Sequence, residues 1–130
     1  MPADRLLPII LIAVLAGVAV FAARARVATR LATWASSATL AGALLVRWAR
    51  SGHPPVFGTF EMDLAETLSL LIFALALSRD AGSRYLRGPA LVASLTLLHT
   101  FLLRTEITPL TISERSLWID LHAVLAWLAW

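Results

Sequence analysis

Apolar residues run along this chain in long blocks, separated by clusters of Arg, Gly and Pro. The first block, Leu6 to Ala23, is closed by Arg24, Arg26 and Arg30, and the second, Leu31 to Trp48, carries indole rings near both ends at Trp34 and Trp48. A third covers Leu64 to Ser78 and extends back to Phe60. The fourth runs from Pro89, whose fixed φ suits a helix start, to Leu103. A fifth, Leu117 to Trp130, falls short of the roughly 20 residues that a bilayer span needs. The pattern predicts an all-α fold: a polytopic membrane helix bundle of four complete spans plus a truncated fifth, in a single transmembrane domain over residues 1–130. Arg5 before the first block and the small residues around Ala22 leave a cleavable signal peptide as a competing reading of that block.

Composition points the same way. Hydrophobic residues make up 59% of the chain and charged ones 15%, with a mean hydropathy of +0.80, too little polar surface to cover a water-soluble core. Ala35, Ser36, Ala38, Ala41, Gly42 and Ala43 keep the second block slim enough for helices to approach closely. The absence of Cys excludes disulfides, Fe–S clusters, thiolate zinc sites and thioether-bound haem on this chain. All the basic side chains are Arg, and the net charge of +3 reads as loop anchoring at a lipid bilayer, with no nucleic acid as partner. Arg24, Arg26, Arg30, Arg79, Arg84 and Arg87 fall in two short turns, and their density favours an outside N-terminus.

Chemistry falls to His, carboxylates and Trp. His99 and His122 lie at similar depths, about 7 to 9 Å by helical rise, on consecutive antiparallel segments. Such a pair suits axial ligation of a haem iron, while the plainer reading has each imidazole bonding a neighbouring helix. Trp118 precedes His122 by one helical turn and shares its face, where an indole lies against a flat ligand or anchors the helix at an interface. Glu61, Asp63 and Glu66 cluster at the start of the third helix and read as a solvated first turn. A phosphate-binding Gly loop, a nucleophile elbow and a paired metal-ligand motif are all missing, so no catalytic residue is assigned.

The loop Gly52-His53-Pro54-Pro55-Val56-Phe57-Gly58-Thr59-Phe60-Glu61 resembles the Gly-His-x-Pro-x-x-Asn-x-Tyr-Glu stretch of the CcsA/ResC branch of the cytochrome c assembly family. Gly52, His53, Pro55 and Glu61 match without a gap, Phe60 supplies the aromatic, and Gly58 replaces the usual Asn. Ser116-Leu-Trp-Ile-Asp-Leu-His122 is similar to the family's Trp-Leu-x-x-His-Val helix, whose His is one of two outward-facing axial haem ligands. The resemblance implies an N-terminal portion of such a protein, with the Trp-rich WWD segment and the second outward His absent. It gives His122 the ligand role toward a non-covalent b-type haem and assigns no function to His99, so that Trp118 and His99 stand as further cofactor-binding candidates from their helical positions alone. Gly52, His53, Pro55, Phe60 and Glu61 are then structural or partner-contacting.

The same resemblance implies a component of cytochrome c maturation that presents haem at the outer face of a bacterial plasma membrane for attachment to apocytochrome c. It would work with a ResB/CcsB-type partner or a missing C-terminal half, as part of a haem-lyase system and not as an enzyme on its own. Two alternatives stand beside it: a small membrane subunit holding haem b between His99 and His122, or quinone, for electron transfer, and a HemX-like scaffold without haem.

Overall fold

The computed structural model describes residues 3–22, 24–52, 54 and 59–102, together with 118, 121, 122, 125, 126 and 129, with side chains from Leu7 onward. Helices form where the apolar blocks lie: α1 is Ala3–Phe21, α2 Arg26–Ser51, α3 Thr59–Ala81 and α4 Arg87–Leu102, with a 3-10 turn, Ser83–Leu86, between the last two. Glycine stops two of them. Gly52 takes φ 73° and ψ 11° just past α2 and returns its N–H to the Trp48 carbonyl, at 2.9 Å, a left-handed cap that disfavours any residue with a Cβ. Gly82, at φ 91° and ψ 165°, occupies a region essentially reserved for glycine and turns α3 into the 3-10 segment.

The buried positions follow a seven-residue rhythm. Leu11, Leu15, Val18 and Ala22 line one side of α1 and its end, Leu40, Leu44 and Arg47 continue the seam on α2, and Ala90, Ala93 and Leu97 form it on α4. Spacings of three and four keep one stripe facing the neighbouring helices, the arrangement of antiparallel bundles. Helix α1 packs chiefly on α4, while α3 touches both α2 and α4. One core layer gathers Leu11, Leu15, Leu40, Leu44, Phe60, Leu64, Leu71 and Leu97. A second, of Val18, Ala22, Ala74, Leu75, Leu86 and Ala90, lies toward the α1–α2 turn. Each large aliphatic side chain taken from water contributes about 1.5–3 kcal/mol. The half of α2 beside this second layer buries Thr29, Thr33 and Ser37. Their hydroxyls turn back onto carbonyls of the same helix, Thr33 onto Thr29 at 2.8 Å and Ser37 onto Thr33 at 2.9 Å, so they add no unmet polar demand.

The all-helical expectation holds, but the polytopic membrane bundle of four complete spans and a truncated fifth does not. Among the described residues no helix is long and apolar enough to cross a membrane. The reasons differ by element. Helix α4 has only 16 residues. α3 has 23 but spends its first turns on Glu61, Asp63 and Glu66 and its last on Arg79 and Asp80. α2 has 26, diluted by Arg30, Arg47 and its run of Thr and Ser. α1 reaches 19 by including Asp4 and Arg5, with Pro8 inside. The apolar blocks are bounded by charge before they attain the length of a span.

Candidate functional site: a buried carboxylate behind an exposed histidine

Asp63 meets the adjacent His99 and Thr100, 36 and 37 positions away, where α3 begins and α4 ends. Asp63 is buried, one turn into α3, and its Oδ2 lies 2.7 Å from His99 Nδ1. The Thr100 hydroxyl, fully buried, lies 3.1 Å from the same oxygen and 2.8 Å from the Thr96 carbonyl, so one proton serves two acceptors. Because Asp63 and His99 sit on different helices, the contact staples the α3–α4 hairpin at the end opposite Gly82.

The two partners differ in exposure. The Asp63 side chain is 12% exposed and that of His99 57%. A carboxylate oxygen accepts hydrogen bonds, so His99 meets it with a protonated Nδ1, and the lone pair of the neutral imidazole then resides on Nε2. The ring is thereby fixed as one tautomer and one orientation, the way metal-ligating imidazoles are held by a carboxylate behind them. What the arrangement offers is a single oriented nitrogen donor at the surface. No group of three or more His, Asp or Glu side chains converges on a metal position among the described residues.

The second structured feature ties α2 to α3 across the loop that carries the sequence motif. Arg47, 9% exposed, donates from Nε to Glu61 Oε1 at 2.8 Å and also reaches it through Nη2. Its guanidinium carbon lies 4.5 Å from the centre of the Phe60 ring. Glu61 and Phe60, two positions of the motif, thus hold the end of α2. Gly52 supplies the left-handed stop that begins the loop. His53 and Pro55 lie outside the described residues, as do Val56 to Gly58.

Glu61 and Asp63 therefore do not form the solvated first turn expected for them. Two residues apart on α3, they point in different directions, Glu61 to Arg47 on α2 and Asp63 to His99 and Thr100 on α4. Glu66 is the exposed member of that cluster. Trp118 and His122 are helical and exposed, Trp118 at 77%, and His122 forms no hydrogen bond or ion pair among the described residues. His99 is thus the candidate imidazole with a structured environment. Sequence reasoning names it without a partner, and it misses Asp63, Thr100 and Arg47 as members of a site. The signal is nonetheless present: a hairpin folded at Gly82 sets Asp63 opposite the residues around Thr100, and one folded at Pro54 sets Arg47 opposite Glu61.

No protein-family model, curated protein or solved structure matches this chain.

Proposed function

We propose that this chain is a haem-handling protein in which His99 supplies an axial imidazole, and that its place is in the supply of haem to apocytochrome c. The observation that carries the reading is the 2.7 Å contact of His99 Nδ1 with the buried Asp63 carboxylate, which leaves Nε2 as the donor at a side chain open to a flat macrocycle. The residues fit one axial position. Asp63 orients the ring, Thr100 holds Asp63, and the Arg47–Glu61 contact keeps the start of α3 in register with α2. His122, also exposed in a helical segment, is the candidate for a second position. The iron, when bound, supplies the Lewis acid that the imidazole meets. The loop resemblance from Gly52 to Glu61 links this chemistry to cytochrome c assembly.

Titration of the purified chain with haemin, followed in the Soret region, tests the proposal. Saturable binding is expected, abolished by His99→Ala and weakened roughly 10- to 100-fold by Asp63→Asn, the usual effect of removing the group behind a ligating histidine. Circular dichroism checks that each variant keeps its helices. Binding unaffected by His99→Ala but lost in His122→Ala overturns the assignment of the ligand. No binding by the unsubstituted chain overturns haem handling itself and favours a scaffold.

A further inference from the structure

The end of the bundle opposite Asp63 and His99 is basic. The α1–α2 turn contributes Arg24, Arg26 and Arg30, and the α3–α4 connection contributes Arg79, Arg84 and Arg87. These two stretches are neighbours in space: Ser83 donates its hydroxyl to the Ala22 carbonyl at 2.8 Å, and Arg87 donates to the carbonyls of Ala19 at 3.2 Å and Val20 at 3.1 Å. Arg87 thereby satisfies carbonyls left open at the end of α1. The other arginines are not so occupied. Arg84 rests over the Tyr85 ring at 5.2 Å, and none of Arg24, Arg26, Arg30, Arg79 and Arg84 forms an ion pair among the described residues. Asp80, the acidic residue at this end, is exposed and forms none either. The two helices that begin here, α2 and α4, have no acidic residue in their first turns.

Apolar side chains stand among these charges. Phe21 is 52% exposed, Val27 73%, Leu31 64% and Tyr85 48%. Guanidinium groups interleaved with exposed aromatic and aliphatic side chains match a surface that is anionic at the headgroups and apolar just beneath. A nucleic-acid duplex satisfies the charge and gives Phe21 and Val27 nothing to enter. We propose that this end docks on the surface of an anionic phospholipid bilayer, with Arg24, Arg26, Arg79 and Arg84 meeting the phosphates and Phe21 and Val27 entering the acyl boundary. The proposal is independent of haem handling and uses none of its residues.

Vesicle flotation of the purified full-length chain tests it, with phosphatidylcholine alone or mixed with phosphatidylglycerol. Binding is expected on the mixed vesicles, falling as salt is raised, and reduced about fivefold for each arginine removed. The combined substitution of Arg24, Arg26, Arg79 and Arg84 by Gln then lowers binding on the order of a hundredfold or more, and Phe21→Ser with Val27→Ser lowers it at unchanged charge. Arg50→Gln, exposed at the far end of α2, leaves it unchanged. Salt dependence of the unsubstituted chain needs no variant to fold. Equal flotation on neutral and anionic vesicles, or flotation on the anionic ones unchanged by the Phe21→Ser and Val27→Ser pair, overturns the proposal.

Discussion

Breaking the contact between Arg47 and Glu61 by single and double replacement tests whether the motif loop is held by charge. Their side chains are 11% and 13% exposed, so both groups have lost most of their water. At about 4 Å between charge centres and an effective dielectric near 20, their attraction is worth about 4 kcal/mol, comparable to the cost of desolvating them. Glu61→Leu leaves the guanidinium buried without that carboxylate and costs about 3–5 kcal/mol, to which the lost helix-dipole contact adds a few tenths. Arg47→Leu strands the carboxylate and gives up the ring contact with Phe60, worth about 1 kcal/mol. The double Leu variant removes both charges together and costs less than either single one, so the coupling between the two positions exceeds the larger single cost and is about 4 kcal/mol or more. Urea unfolding of the four proteins measures it, and each single variant also melts about 10–20 °C lower. A coupling below about 1 kcal/mol, the value of solvent-exposed pairs, refutes the reasoning.

Two further substitutions probe the frame around the site. Gly52→Ala places a Cβ at φ 73° and costs about 1–2 kcal/mol, read as a fall in melting temperature; an unchanged value refutes the left-handed cap. Thr67 is 1% exposed and its hydroxyl has no hydrogen-bond partner among the described residues, so Thr67→Val removes an unmet polar atom at nearly constant shape and stabilises the chain by about 1 kcal/mol, whereas a loss of stability shows that the hydroxyl has a partner.

The positions of the helices were legible in the sequence because their limits are written in residues with strong local effects: the arginines after Ala22, Gly52 with the two prolines, and Gly82 before the 3-10 turn. Their environment was not. Val14 and Ile10 are exposed on α1 while Leu11 and Leu15 are buried, and all four are equally apolar, so neither composition nor periodicity separates the face that packs from the face that does not. The membrane-span expectation came from this ambiguity. It counted apolar residues in blocks, where the limiting quantity is the uncharged length of each helix. The site was half legible for a related reason. His99 was conspicuous as an ionisable group in an apolar run, but Asp63 looked like an ordinary first-turn carboxylate until the α3–α4 hairpin brought it against a residue 36 positions away.

Alternating helix direction explains why charge is divided between the two ends. Loops one and three share an end of an up-down bundle, so arginines around residue 26 and around residue 84 are collected together although a whole hairpin separates them in sequence. The other end collects the start of α3 with the ends of α2 and α4, and there the buried charges are met from within, Arg47 by Glu61 and Asp63 by His99 and Thr100, while Arg50 and Glu66 stay exposed. An end whose polar groups satisfy one another has fixed geometry and a weak external field, which suits the orientation of a ligand-binding imidazole. An end whose arginines meet only carbonyls and a ring keeps its field for an external anion, and that field reaches about 10 Å into ordinary buffer. The ordered end thus favours a role that depends on direction and the basic end one that depends on charge. Because the Gln variants act at the basic end and Asp63→Asn acts between α3 and α4, failure of either proposal leaves the other standing.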